Sequence, residues 1–160
     1  VPDSFHARYA AHAKTYHYYL LNARVDDPFL FDTCHRIWPA LDLAAMQAAA
    51  AQFVGTHDFS ALCASGSSAA AHGDTVRTIT DCTVVQSGDL FTISVTADGY
   101  LYNMVRILAG TLVQAGLHKR TPDSIPPLLE SRDRKLAGPT LPAKGLFLER
   151  VDYPGLDAIS

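Results

Sequence analysis

One arginine stands inside an apolar stretch of this chain. Between residues 101 and 115, Leu101, Met104, Val105, Leu108, Leu112 and Ala115 recur at the 3.6-residue period of an amphipathic helix of about four turns. Arg106 sits among them, flanked by Val105 and Ile107 and one turn before Gly110. A guanidinium keeps its proton, so burying one without a carboxylate or phosphate beside it costs several kcal/mol. No residue three or four positions away is acidic. The anion must come from elsewhere in the fold, from another chain or from a ligand, unless the arginine stem runs along the helix to reach water.

Other residues offer weaker chemistry. Tyr16 and Tyr18 lie near Arg8 and Lys14, and aromatic rings beside cations can stack nucleobases while the charges hold phosphate. A packed sheet face explains the same tyrosines. His57-Asp58-Phe59 reads as a capping aspartate after a helix more readily than as a catalytic pair. Cys34-His35 has no CxxC or HxxxH spacing around it, so no metal site is expected.

These side chains need elements to position them. Residues 13–23 are rich in Tyr and Leu and read as a strand, with Tyr16 and Tyr18 on one face and His17 and Tyr19 on the other. Asp42 caps a helix carrying Leu43, Met46, Ala50 and Phe53, closed by Gly55. Residues 56–75 read as a surface loop. Residues 75–86 and 89–97 alternate as two strands around Ser87-Gly88-Asp89, a hairpin that leads through Asp98-Gly99 straight into the Arg106 helix. Thr121 and Pro122 open a further helix to about Ser131. A basic loop follows over 132–144, and 145–153 form the last strand. The order β-α-β-β-α-α-β, with strands in hairpins and helices on one face, predicts a single α+β domain with a mixed, mostly antiparallel sheet.

Bulk composition narrows the function. With 160 residues, 48% hydrophobic and 18% charged, the chain is globular and long enough for a sizeable core. Its net charge of −3 excludes a strongly basic nucleic-acid binder and leaves two mildly basic patches, over residues 1–24 and 119–135. The odd, scattered cysteines Cys34, Cys63 and Cys82 fit a reducing compartment. No apolar run approaches membrane-spanning length and the first residues given show no signal-peptide h-region, so a soluble, cytoplasmic protein is expected.

Several strings, taken together, resemble the tRNA pseudouridine synthase A family. FHARYAAHAKTYHYYL is similar to its FHARF and AKxYxY segment. VGTHDFSAL, VRTI, GYLYNMVRILAGTL, DRKLAGPT, GLFL and VDYP follow in the family's order from Phe5 to Pro154. The resemblance implies half of a pseudouridine synthase fold and the isomerisation of uridine to pseudouridine in the tRNA anticodon stem-loop, without cofactor or metal. In that chemistry an aspartate attacks the nucleoside, the glycosidic bond breaks, and the uracil turns and rejoins the sugar through C5. By position, the resemblance makes Tyr16 the residue that stacks on the flipped-out uracil and takes the C5 proton. Arg106 pairs with the catalytic carboxylate, Leu146 packs on the base, and Arg8 contacts RNA or a neighbouring domain. It also implies tRNA and a second copy of the chain, as a homodimer, for partners.

The chain departs from the family in two respects. The loop Cys63 to Asp74 has no Lys or Arg, where the family's segment usually carries some. An RTDAGVHA-type string, which carries the nucleophile in the amino-terminal half, is absent from these residues, and Asp58 and Asp98 belong to other motifs. The expectation is therefore a carboxy-terminal half, silent on its own. The alternative is a module that binds RNA or dimerises without doing chemistry.

Overall fold

The computed structural model describes residues 11–154. Its frame is one six-stranded sheet in the order β2-β1-β5-β4-β3, with β6 also on β1. Strand β1 (Ala13–Asn22) is central. It runs antiparallel to β5 (Leu90–Ala97) along Lys14–Leu21. Its other edge is divided between β6 (Leu146–Asp152), antiparallel along Ala13–Tyr18, and β2 (His35–Ile37), parallel along Leu20–Asn22. Strand β4 (Val76–Ser87) forms the expected hairpin with β5, and β3 (Gly55–Asp58) closes the far side. The mixed, mostly antiparallel α+β architecture is the one that the hydrophobic periods indicate.

Alternation decides which face is covered. Phe91, Ile93, Val95 and Ala97 are buried while Thr92, Ser94 and Thr96 are half-exposed. The buried row joins Tyr18 and Leu20 of β1 and Cys82 and Val84 of β4 in a single core with three helices. These are α1 (Leu43–Ala51), through Met46, Ala49 and Ala50, α3 (Met104–Gly116), through Ile107, Leu108 and Leu112, and α4 (Ile125–Ser131), through Ile125, Leu128 and Leu129. Each large side chain buried in this way stabilises by roughly 1.5–3 kcal/mol. Helix α3 is therefore fixed against the sheet, and so is the direction in which Arg106 leaves it.

Asp42 caps α1 as expected, its carboxylate accepting the Ala45 N–H at 3.1 Å. Gly55 does not close that helix. The helix ends at Ala51 with Gln52 as its cap, and Gly55, at φ = 121°, opens β3 opposite Ile79. Residues 56–75 are correspondingly more than a loop. They hold most of β3, a 3-10 turn (Ser60–Leu62) and the short helix α2 (Ser68–Ala71). Strand β2 escaped the sequence pattern because three residues cannot show an alternation. Helix α3 starts three residues later than its apolar period suggests, since Asn103 takes a left-handed conformation (φ = 60°) that breaks the helix before it. After Thr121, a 3-10 turn (Pro122–Ser124) leads into α4 (Ile125–Ser131). Pro126 and Pro127 fit there because the first helical turn needs no N–H. The three cysteines are free and buried. Among the described residues, no helix is long and apolar enough to cross a membrane.

Candidate active site

Tyr16, Arg106 and Leu146 converge on one pocket of about 250 Å³, which they line with Tyr100, Leu101, Tyr102, Asn103, Met104 and Val105. Three elements supply the three residues. Tyr16 comes from the core-facing row of β1, half-buried. Leu146 starts β6, directly across from Tyr18. Arg106 comes from the first turn of α3. The pairing of β1 with β6 slips between Thr15 and Tyr16, because β6 carries one residue more there. Such a bulge twists the strand locally and re-aims its side chains. A larger groove, about 360 Å³, lies beside Trp38, and Arg24 is the one ionisable residue lining it. Its Arg24 lies 5.8 Å over the ring of an exposed Trp38, whereas the Tyr16 pocket sets a half-buried cation beside the half-buried rings of Tyr16 and Tyr100.

The Arg106 guanidinium is held by two neutral acceptors. Its Nε donates to the Leu141 carbonyl at 2.6 Å, and Nη1 donates to Asn103 Oδ1 at 3.0 Å. The Asn103 amide thus serves the arginine one turn along instead of capping α3, where its side chain makes no capping bond. Among the described residues, no carboxylate lies within ion-pair distance of Arg106. Three of its five N–H groups remain for an anion. The sequence asked where that anion is, and among the described residues the protein supplies none.

Tyr16 meets the ring of Tyr100 edge-on, with centroids 5.0 Å apart and planes at 87°. Tyr100 is itself fixed: its single hydroxyl proton is shared between the carbonyls of Lys14, at 2.6 Å, and Val95, at 2.8 Å. Burial, and less strongly Tyr16, push the Tyr100 phenol well above its ordinary value, so it stays neutral. Tyr18 shares the Tyr16 face as expected but cannot stack a base. It is fully buried, donating its hydroxyl to the Pro142 carbonyl at 2.6 Å. Burial raises its phenol too, against the lowering pull of the Arg106 charge. On the other face, His17 approaches Tyr19 Oη at 3.2 Å and Glu149 at 3.7 Å, away from the pocket. Arg8 lies outside the described residues.

Tyr100, Asn103 and Leu141 were not singled out from the sequence, although the first two fall within the GYLYNMVR string. Leu141 gives no local signal, because it reaches Arg106 across 35 residues.

Neither Asp58 nor Asp98 faces this pocket. Asp98 accepts the Thr78 N–H at 2.9 Å. Asp58 ends β3 and does not follow a helix; it accepts the Ser60 N–H at 3.0 Å where the 3-10 turn begins, and pairs with Arg132 at 3.2 Å. Burial alone would raise the Asp58 carboxyl. Hydrogen bonds from Ser60 and Thr75, with the Arg132 charge, outweigh that and hold it below its ordinary value. A carboxyl depressed in the folded state stabilises the fold above its unfolded pKa, and that contribution fades as pH falls through the folded value. The melting temperature of the chain should therefore drop between about pH 4 and lower pH by more than that of Asp58→Asn, whose titration is removed. Parallel melting curves for the two proteins would be a null result for this carboxylate.

A family model for tRNA pseudouridine synthase matches residues 49–154, about two thirds of the chain, and takes in every lining residue of the pocket except Tyr16. The chain belongs to the tRNA pseudouridine synthase family. Its relatives within that family extend the match to β1 and Tyr16. It is 46% identical over 153 residues to a tRNA pseudouridine synthase A of Acetivibrio thermocellus, 44% to one of a Thermoanaerobacter species and 45% to one of Moorella thermoacetica, covering 96% of the chain in each case. It spans 62%, 62% and 61% of the lengths of these three synthases.

Proposed function

We propose that this chain is the carboxy-terminal half of a tRNA pseudouridine synthase and forms one wall of the site that isomerises uridine in the anticodon stem-loop. The observation that carries the reading is Arg106. A half-buried guanidinium, locked by two neutral acceptors and opening on a pocket with Tyr16 and Leu146, is built to receive a carboxylate that the described residues do not contain. An arginine within about 4–6 Å lowers a carboxylate pKa by roughly 1–3 units, which keeps a nucleophilic aspartate ionised. In this reading the aspartate is contributed by residues beyond these 160.

The pocket suits one flat ring. Its volume lies below the roughly 300–1,000 Å³ of sites that enclose drug-sized ligands. A uracil leaving its stack costs a few kcal/mol, which an aromatic and aliphatic lining offsets. Tyr16, braced by Tyr100, stacks on the base and takes the C5 proton, while Leu146 packs against the base. Arg106 holds the aspartate, and Arg8 contacts RNA. The reading invokes no cofactor or metal. It places the protein in the cytoplasm, acting on tRNA as a homodimer.

Release of tritium from C5-labelled tRNA tests it. Full-length protein should release tritium, and these 160 residues alone should not. Turnover by the 160 residues would put the nucleophile inside them, and no release by the full-length protein would remove the activity.

A further inference from the structure

The carbonyl that locks Arg106 belongs to a strap, residues 137–142, which crosses the outside of α3 before entering β6. The strap is pinned to the helix along its length. The Gly138 N–H donates to Thr111 Oγ1 at 3.0 Å, and that hydroxyl donates in turn to the Ile107 carbonyl at 2.8 Å, so the buried threonine is satisfied on both sides. The Leu141 N–H donates to the Arg106 carbonyl at 3.3 Å while the Leu141 carbonyl accepts from Arg106 Nε, a reciprocal pair on one residue. At the exit, the Pro142 carbonyl accepts from Tyr18.

A second arginine completes this arrangement. Arg134 stands just before the strap, half-buried, and folds back over it. Its Nη1 donates to the Gly138 carbonyl at 2.9 Å and its Nη2 to Thr140 Oγ1 at 3.1 Å. No acidic side chain is within ion-pair distance of Arg134 among the described residues. Its fork therefore serves two neutral acceptors of its own loop, and the second of them directly precedes Leu141. Charged donors make the stronger hydrogen bonds, and a planar fork fixes the relative position of both acceptors. The peptide between Thr140 and Leu141 carries the N–H that bonds the Arg106 carbonyl, and the Leu141 carbonyl, one peptide further on, is aimed by the Leu141 dihedrals between that bond and the Pro142 carbonyl held by Tyr18.

We infer that Arg134 is a positioning residue for the reaction, acting on Arg106 through Thr140 and Leu141. The inference rests on the synthase reading of the pocket. In that reading Arg106 must present its remaining N–H groups to a carboxylate, and a displacement of about 1 Å at a catalytic group can cost as much as 100-fold in rate.

The experiment uses the full-length protein with single-turnover and steady-state tritium release. Arg134→Met should lower kcat by about ten- to a hundredfold with the KM for tRNA within about twofold of wild type. Arg134→Lys keeps the charge but cannot span both acceptors, so it should recover only part of the loss. A general weakening of the fold would multiply with other defects. Action through Arg106 would not, so in an Arg106→Lys background the Arg134→Met loss should shrink to less than about twofold. An equal loss in both backgrounds, or an unchanged kcat, would overturn the inference. Should Arg134→Met not fold, Thr140→Val removes a single acceptor and must show the same coupling with Arg106. Arg106→Ala separates the two levels. If that variant keeps wild-type turnover, the synthase reading fails. If it loses turnover while Arg134→Met does not, only the role of Arg134 fails.

Discussion

Arg106→Ala in the full-length protein is expected to lower turnover by roughly a thousandfold while leaving tRNA affinity within about threefold of wild type. Removing one partner of a buried ion pair costs about 3–5 kcal/mol, and 1.36 kcal/mol is one decade of rate, so two to four decades are at stake. The substitution leaves the scaffold standing. Ile107, Leu108 and Leu112 stay fully buried against the sheet, and the Arg106 side chain is itself only half-buried. The hydrogen bonds lost, to Leu141 and Asn103, are local. Binding should survive because affinity for tRNA is spread over many phosphate contacts, of which one guanidinium committed to a carboxylate is not a member. Filter binding and tritium release on the same preparation decide the matter. Lost binding, or turnover within a few-fold of wild type, would favour a module that holds RNA without chemistry and would take the pocket's mechanism with it.

The parts of this site that could be read from the sequence are those whose signal is periodic. The 3.6-residue spacing located α3 and left Arg106 conspicuous in it. The two-residue alternation located β5, and once the Tyr- and Leu-rich composition of residues 13–23 marked β1 as a strand, the same period put Tyr16 and Tyr18 on one face. Alternation gives the face but not the depth. Tyr18 proves fully buried and bonded to Pro142, and only Tyr16 reaches the pocket. The acid-free neighbourhood of Arg106 was also legible, yet the residue three positions before it was a partner all the same, because a neutral amide can hold a guanidinium without neutralising it. Illegible were the contacts made at long range. Leu141 meets Arg106, and Pro142 meets Tyr18 across 124 residues, through backbone carbonyls that every residue possesses. No side-chain pattern can announce such a contact. Gly110 and Gly138 stand in quoted strings, but the reason for glycine at either position shows only once helix and strap are seen pressed together.

That contact sets up the second large effect. Gly110→Ala is expected to destabilise the chain by about 2–4 kcal/mol and to reduce turnover of the full-length protein at least tenfold. A Cβ at Gly110 would collide with the carbonyl oxygen of Pro139 and come within 3.3 Å of its Cδ. A Cβ at Gly138 would lie 2.7 Å from the Gly110 oxygen. The obstacle is backbone in both directions, so the strap itself must lift. Overpacking of this kind costs about 1–3 kcal/mol. Lifting also weakens the Gly138–Thr111 and Leu141–Arg106 hydrogen bonds, each worth about 1 kcal/mol. Against this, alanine gains about 1 kcal/mol over glycine inside a helix, which is too little to reverse the sign. Gly116, on the same helix, is the internal comparison. A Cβ there meets Met46 Cγ at 2.8 Å and Sδ at 2.9 Å, the movable part of a flexible side chain. Gly116→Ala should therefore be the milder change by at least about 1 kcal/mol. Urea unfolding of the two variants, each against wild type, measures the difference. Equal midpoints would mean that the strap yields as easily as a methionine, and a strap that yields cannot be what aims Arg106.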